Sequence, residues 1–236
     1  FVVPWPNAPT ALILVGAVGI HFAYKVAMAR AYEKAAFTVV YPVVRGTGPL
    51  VTVIAASVFF GEHFTGMQWV GVGFLSGGIL LLALRNLREE RLDPAALRAG
   101  LAWALAGGLL VAVYTTYDAY GIRQAPDPFT FLAWFFFVTA LDFPLLALRR
   151  YRRMDKPPVL APLMWRGVIG ALVAWVSFGG VMLATMVGKV GEAAVLRETS
   201  TVFAALIGWF ILHEKVGPRR LILMTLVALG AVIVEM

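Results

Sequence analysis

Long apolar runs separated by short polar links fill the chain. They cover about residues 11–29, 37–60, 67–84, 100–120, 129–148, 164–187, 193–212 and 221–234. All but the short last one approach the roughly 20 residues that an α-helix needs to cross a bilayer's hydrocarbon core. In most of these runs no polar face recurs at the helical period, as it would on a soluble amphipathic helix. The pattern predicts an all-α integral membrane protein with eight transmembrane helices. Punctuation falls between the runs: a tight turn at Gly61–Gly66, a matching one at His213–Pro218, and Asp-Pro pairs at Asp93-Pro94 and Asp127-Pro128. In such a pair aspartate caps and proline opens the next helix. Pro4, Pro6 and Pro9 mark the first ten residues as the tail of a preceding segment and a turn.

Composition agrees with this pattern. The chain is 61% hydrophobic, with a mean hydropathy of +0.83, against roughly 45–50% apolar usage in soluble domains. It has no cysteine, which excludes disulfides, thiolate metal sites and a cysteine nucleophile. His21, His63 and His213 lack metal-ligand spacing, so neither a metal nor a cofactor is expected. The net charge of +7 would suggest nucleic acid in a soluble protein. Here fifteen of the twenty Lys and Arg lie in or bordering the links after the first, third, fifth and seventh runs, counting Arg166 at the start of the sixth run. The opposite links hold Arg123 and Lys189, and Lys25, Arg45 and Arg197 lie within runs. That asymmetry is the positive-inside pattern, and it accounts for the charge without nucleic acid. It predicts a multi-pass protein of the cell membrane, with links 85–98 and 149–156 cytoplasmic and Met236 outside. The expected organisation is a first half over 1–84, a charged linker over 85–98 and a second half over 99–236.

The chemistry concentrates where charge interrupts apolar runs. Tyr41-Pro-Val-Val-Arg-Gly-Thr-Gly-Pro-Leu50 holds Arg45 about 12 Å from the nearer end of its run at the helical rise. A charge at such depth costs roughly 2.5 kcal/mol or more and is expected to face a polar interior. Pro49 clashes with the carbonyl of Arg45, and Gly46 and Gly48 weaken the helix, so a discontinuous helix is expected there. An offset of 152 residues pairs Arg45 with Arg197, Thr47 with Thr199, Glu62 with Glu214 and Gly78 with Gly230. Two related halves follow from that echo. Arg45 and Arg197 are candidates for an anion site or for a structural pairing with Glu198. Asp142, just before Pro144, and Asp118 are candidate proton carriers, or partners of Arg149 and Arg123. His21 and Lys25 share one helical face that suits a polar lining. Glu62 and Glu214 suit the positive end of a helix dipole, and Gly73 and Gly77 have the spacing that lets helices approach closely.

The run Tyr41 to Leu50 followed by Phe60-Gly-Glu62, and Leu196-Arg-Glu-Thr-Ser200 followed by His213-Glu214, resemble the EamA-type family of the drug/metabolite transporter superfamily. Asp118, within Tyr114-Thr-Thr-Tyr-Asp-Ala-Tyr-Gly-Ile-Arg123, fits one branch of it. The resemblance covers essentially the whole chain. It implies two inverted five-helix repeats around a central cavity; since the first half shows three helices, the first two are inferred to be absent from this sequence. It also implies a secondary transporter of a small organic metabolite, with export as a candidate direction, and no enzyme. The alternatives are a translocator of lipid or lipid-linked sugar, and an integral membrane enzyme for which no nucleophile–base motif is present. The candidate substrate-binding set is Arg45, Arg197, Glu198, Thr199, Tyr41, His21 and Tyr117, with Asp142 and Asp118 for coupling. The expected partners are a small-molecule substrate and the lipid bilayer, with a homodimer as a candidate assembly.

Overall fold

The computed structural model describes residues 3–89, 93–142, 144, 148, 151–154, 158–210 and 218–236. Nine helical segments occur among them: α1 (Ala8–Lys34), α2 (Phe37–Phe60), α3 (Gly66–Glu89), α4 (Pro94–Gln124), α5 (Pro128–Ala140), α6 (Leu160–Val187), α7 (Val190–Arg197), α8 (Thr199–Phe210) and α9 (Pro218–Val234). The fold is all-helical and membrane-spanning, but the expectation of eight transmembrane helices fails. Among the described residues five helices are long and apolar enough to cross: α1, α2, α3 as far as Arg85, α4 and α6. The 13 residues of α5 reach about 20 Å, short of a hydrocarbon core of about 30 Å. The expected seventh span is two helices of 8 and 12 residues, because the chain turns at Glu198. The apolar part of α9 is Ile222–Val234. Hydropathy sums side chains along a run and does not register a backbone break inside it. The ten-helix count, which added two spans to those eight, falls with it.

The residues fall into two compact units. The first comprises Phe1–Phe22 and Tyr117–Val187. Its core joins α1, α4, α5 and α6 through Leu14, Ala17, Ile122, Phe131, Phe135 and Met182. Two glycines allow close approach: Gly16 accommodates the Tyr117 ring, and Gly121 lies against Ile13 and Phe131. As expected, Asp127 caps α5, its carboxylate accepting from the Thr130 N–H at 2.7 Å, with Pro128 opening the helix. Most of α6 turns its apolar side chains outward, Trp165, Leu172 and Val176 among them. An apolar helix with little burial belongs against lipid.

The second unit comprises Ala23–Thr116 and Gly188–Met236. Its core is Val53 of α2, Val72, Leu75 and Ile79 of α3, Val195 of α7, and Val227, Ala231 and Val234 of α9. Close approach of α3 and α9 depends on glycines other than the expected pair. A Cβ on Gly230 would lie 2.5 Å from the Leu75 nitrogen, and one on Gly71 would lie 2.8 Å from the Gly230 oxygen, whereas Gly73 and Gly77 have nothing within 4 Å. The helical face that meets a neighbour decides which glycines matter, and spacing alone does not reveal that face. The expected discontinuity around Arg45 is also absent. Helix α2 runs unbroken through Pro42 and Pro49 and ends at Gly61, whose left-handed φ of 64° lets its N–H reach the Ala56 oxygen. Thr65 and Gln68 bond each other's backbone N–H, opening α3 with a capping box. Asp93 caps α4 through the N–H groups of Ala95 and Ala96.

Candidate functional site

The second unit brings both membrane arginines to one carboxylate. Arg45 Nε lies 3.0 Å from Glu198 Oε2, and Arg197 Nε donates to Glu198 Oε1 at 3.4 Å. Glu198 is fully buried, while the side chains of Arg197 and Arg45 are 10% and 20% exposed. The arrangement follows from the turn that the hydropathy pattern concealed. Glu198 N–H reaches back to Val195 O at 2.9 Å, and Thr201 N–H reaches Glu198 O at 2.9 Å. These are the i to i+3 bonds of a tightened turn. The hydroxyls of Thr199 and Thr201 donate to the carbonyls of Leu196 and Glu198, satisfying oxygens that a continuous helix would bond itself. The Glu-Thr-Ser-Thr sequence thus supplies both the buried acid and the groups that stabilise its turn.

The Arg45–Glu198 contact is close in distance but incomplete in direction. Neither Arg45 Nε nor Glu198 Oε2 makes a directed hydrogen bond among the described residues, although both atoms are buried. The Arg45 side chain instead donates through Nη2 to Ser200 Oγ at 3.0 Å and lies over the Tyr41 ring, 5.5 Å from its centroid. Tyr41 in turn stacks on Phe37. The Arg197 guanidinium donates to the Tyr114 hydroxyl, and the Tyr114 ring meets Tyr24 edge-on at 5.2 Å. Two guanidiniums and one carboxylate leave one positive charge in excess in a tyrosine-rich setting. Of the expected binding set, Arg45, Arg197, Glu198 and Tyr41 are brought together. Thr199 turns its hydroxyl to the backbone. Ser200 and Tyr114 did not figure in the expected set; their only sequence signal was adjacency to Glu198 and to the polar run 114–118.

A second polar cluster in the same unit holds the start of α7. The Glu62 carboxylate accepts from the N–H groups of Val190 and Gly191 at 2.6 and 3.1 Å. It serves a helix dipole as expected, but the dipole belongs to α7 and not to the helix that follows it in sequence. Lys189 pairs with Glu192 at 2.8 Å, and Gln68 Nε2 donates to Glu192 and to the Val234 carbonyl. Glu214 lies outside the described residues.

In the first unit His21 and Asp118 form a buried pair, with Nε2 and Oδ2 2.8 Å apart. Asp118 does not pair with Arg123 as its sequence position suggested; Arg123 Nε donates to the Thr185 carbonyl at 2.8 Å. Helical geometry brings His21 of α1 to Asp118 of α4, and no sequence spacing encodes that meeting. The Phe135 and Phe178 rings stand edge-on to the imidazole. Tyr117 packs on Gly16. Asp142 is half-buried just past α5, and its suggested partner Arg149 lies outside the described residues. Among the described residues no group of three His, Cys, Asp or Glu could hold a metal ion.

Charges buried inside apolar helices, paired across the fold, define a polytopic membrane protein with a polar interior. Residues 2–84 and 98–236 match the EamA-like transporter family, and the chain belongs to that family, whose members are transporters and not enzymes. It is also 35% identical over 69 residues to the uncharacterized protein y4nH of Sinorhizobium fredii. That match covers 29% of this chain and 59% of the relative.

Proposed function

We propose that the chain is a secondary transporter for a small organic metabolite bearing an anionic group, with the Arg45–Glu198–Arg197 cluster as its binding site. One observation carries this reading: two guanidiniums share one buried carboxylate, and Arg45 retains 20% exposure beside it. An entering carboxylate or phosphate would balance the excess charge and occupy the arginine's planar donor fork, which a lysine does not reproduce. The neighbouring Tyr41 and Tyr114 supply apolar faces with polar tips, suited to an organic anion. The arginine-rich links 85–98 and 149–156 are assigned to the cytoplasm by the positive-inside pattern.

The test is uptake into vesicles containing the purified chain, comparing labelled monocarboxylates, amino acids, phosphate esters and neutral sugars. Anions are expected to be carried and neutral sugars not. Arg45→Lys should lower anion uptake about tenfold or more with an unchanged unfolding midpoint, because charge is kept and fork geometry lost. Uptake unaltered in Arg45→Lys, or lost strictly in step with stability across Arg45→Lys, Arg197→Lys and Glu198→Gln, would make the cluster structural. Flipping of labelled lipids without metabolite uptake would favour a lipid translocator.

A further inference from the structure

We propose that His21 and Asp118 form a proton-binding site that holds one shared proton, and that loading and release of that proton drive substrate movement. The coupling rests on the transport reading above; the proton site stands on its own geometry.

An acid and a base lie in hydrogen-bond contact, 2.8 Å apart, inside a largely apolar unit. The Asp118 side chain is 1% exposed and that of His21 13%. Asp118 Oδ1 is buried and has no hydrogen-bond partner among the described residues. A purely structural carboxylate in such a place would be expected to have both oxygens bonded, because an unsatisfied buried acceptor costs about 1–3 kcal/mol. The pair with one proton, as imidazolium–carboxylate or imidazole–carboxylic acid, is neutral. Without that proton it carries a negative charge against Phe135 and Phe178, and with a second proton it carries a positive one. The apolar surroundings oppose either charged state, so uptake and release of the proton go with opening of the site to water. The two groups therefore act as one site.

The charged and titratable groups on the packed elements can be named for the described residues. The stretches of α5 and α6 that form this core, 128–140 and 167–187, contain no Asp, Glu, Lys, Arg or His. On α4 the neighbouring titratable groups are Tyr114, Tyr117, Tyr120 and Arg123, and Arg123 is engaged by the Thr185 carbonyl. On α1 they are Tyr24 and Lys25. With 13% exposure against 1%, the imidazole is the more accessible of the two groups. Along the chain Tyr114, whose hydroxyl accepts from Arg197, precedes Asp118 by four residues on α4.

Two measurements test the proposal separately. In lipid nanodiscs, the ring nitrogens of ¹⁵N-labelled histidine are followed between about pH 5 and 9, the range in which imidazole changes charge. The signal of His21 is assigned with His63→Gln and His213→Gln. Its ring is expected to titrate, with a midpoint that moves by about one unit or more in Asp118→Asn. A ring held in one state throughout, or a midpoint indifferent to Asp118→Asn, overturns the proton site. If Asp118→Asn fails to fold, Asp118→Ser, which also removes the carboxylate, takes its place, with the same two outcomes. In vesicles, an imposed pH gradient should accelerate flux of the carried anion about fivefold or more. His21→Gln should abolish the acceleration by the pH gradient. Acceleration that survives in His21→Gln, or that follows a sodium gradient instead, overturns the coupling. Absence of any flux in the parent chain defeats the transport reading and leaves the histidine titration to decide the site.

Discussion

Arg45 and Glu198 meet at 3.0 Å, joining the middle of an unbroken helix, α2, to the turn between two short ones, α7 and α8. The two residues depend on each other. A lone arginine or a lone glutamate at either place would be a bare charge in a greasy interior. Glu198→Gln should therefore leave two uncompensated guanidiniums and destabilise the protein by about 3–5 kcal/mol. The unfolding midpoint of the purified chain checks this, and Glu198→Gln combined with Arg45→Met should recover part of the loss.

The seam between α3 and α9 separates two glycines that look alike in sequence. Gly230→Ala places a methyl against the backbone of Leu75 and Gly71 and should cost about 1–3 kcal/mol by overpacking. Gly73→Ala meets nothing within 4 Å and should be neutral or gain up to about 1 kcal/mol from helix propensity. Comparing their unfolding curves in one detergent gives the answer. Equal effects would mean that α3 and α9 do not pack through Gly230.

Among the described residues the Glu62 carboxylate accepts from the first two N–H groups of α7. Glu62→Ala should expose the amides of Val190 and Gly191 to exchange, with a loss on the order of 1 kcal/mol, as for other lost caps. Hydrogen exchange resolved at those two amides measures it. Unchanged protection there would show that the carboxylate does not hold the helix start.

Asp127 gives a pH effect whose sign can be worked out. The Thr130 hydroxyl and backbone N–H hold its carboxyl below the usual carboxylate range. A depressed value in the folded state means that the contribution is complete above the unfolded carboxylate's pKa of about 4 and fades as pH falls toward the folded value. Asp127→Asn removes the titration. The difference in unfolding midpoint between the parent and this variant should therefore shrink on going from about pH 6 to pH 3.

Orientation can be probed without background, since the chain has no native cysteine. Arg152→Cys should be shielded from a membrane-impermeant thiol reagent added to intact cells and should react once the membrane is opened. Labelling from outside would reverse the proposed topology.

What the sequence determined by itself is everything that depends on one residue meeting its solvent. Apolar runs place the chain in a bilayer because their side chains prefer hydrocarbon and a helix pairs its own backbone groups there. Asp93-Pro94 and Asp127-Pro128 start helices because capping is a local matter of three or four residues. Arg45, Arg197, Glu198 and Asp118 stand out because buried charge is costly wherever it occurs. The partners of these charges were decided only by the tertiary structure. Asp118 takes His21 of α1 in place of Arg123 on its own helix, and Glu62 caps α7 instead of the helix after it. Gly230 packs α9 on α3 where Gly73 faces open space. The helix count belongs with these: α2 absorbs two prolines, while the apolar run 193–212 turns at Glu198 so that one buried carboxylate can meet two arginines. Hydropathy measures the preference of a side chain for lipid, and it carries no information about the backbone's turn or about which face meets which.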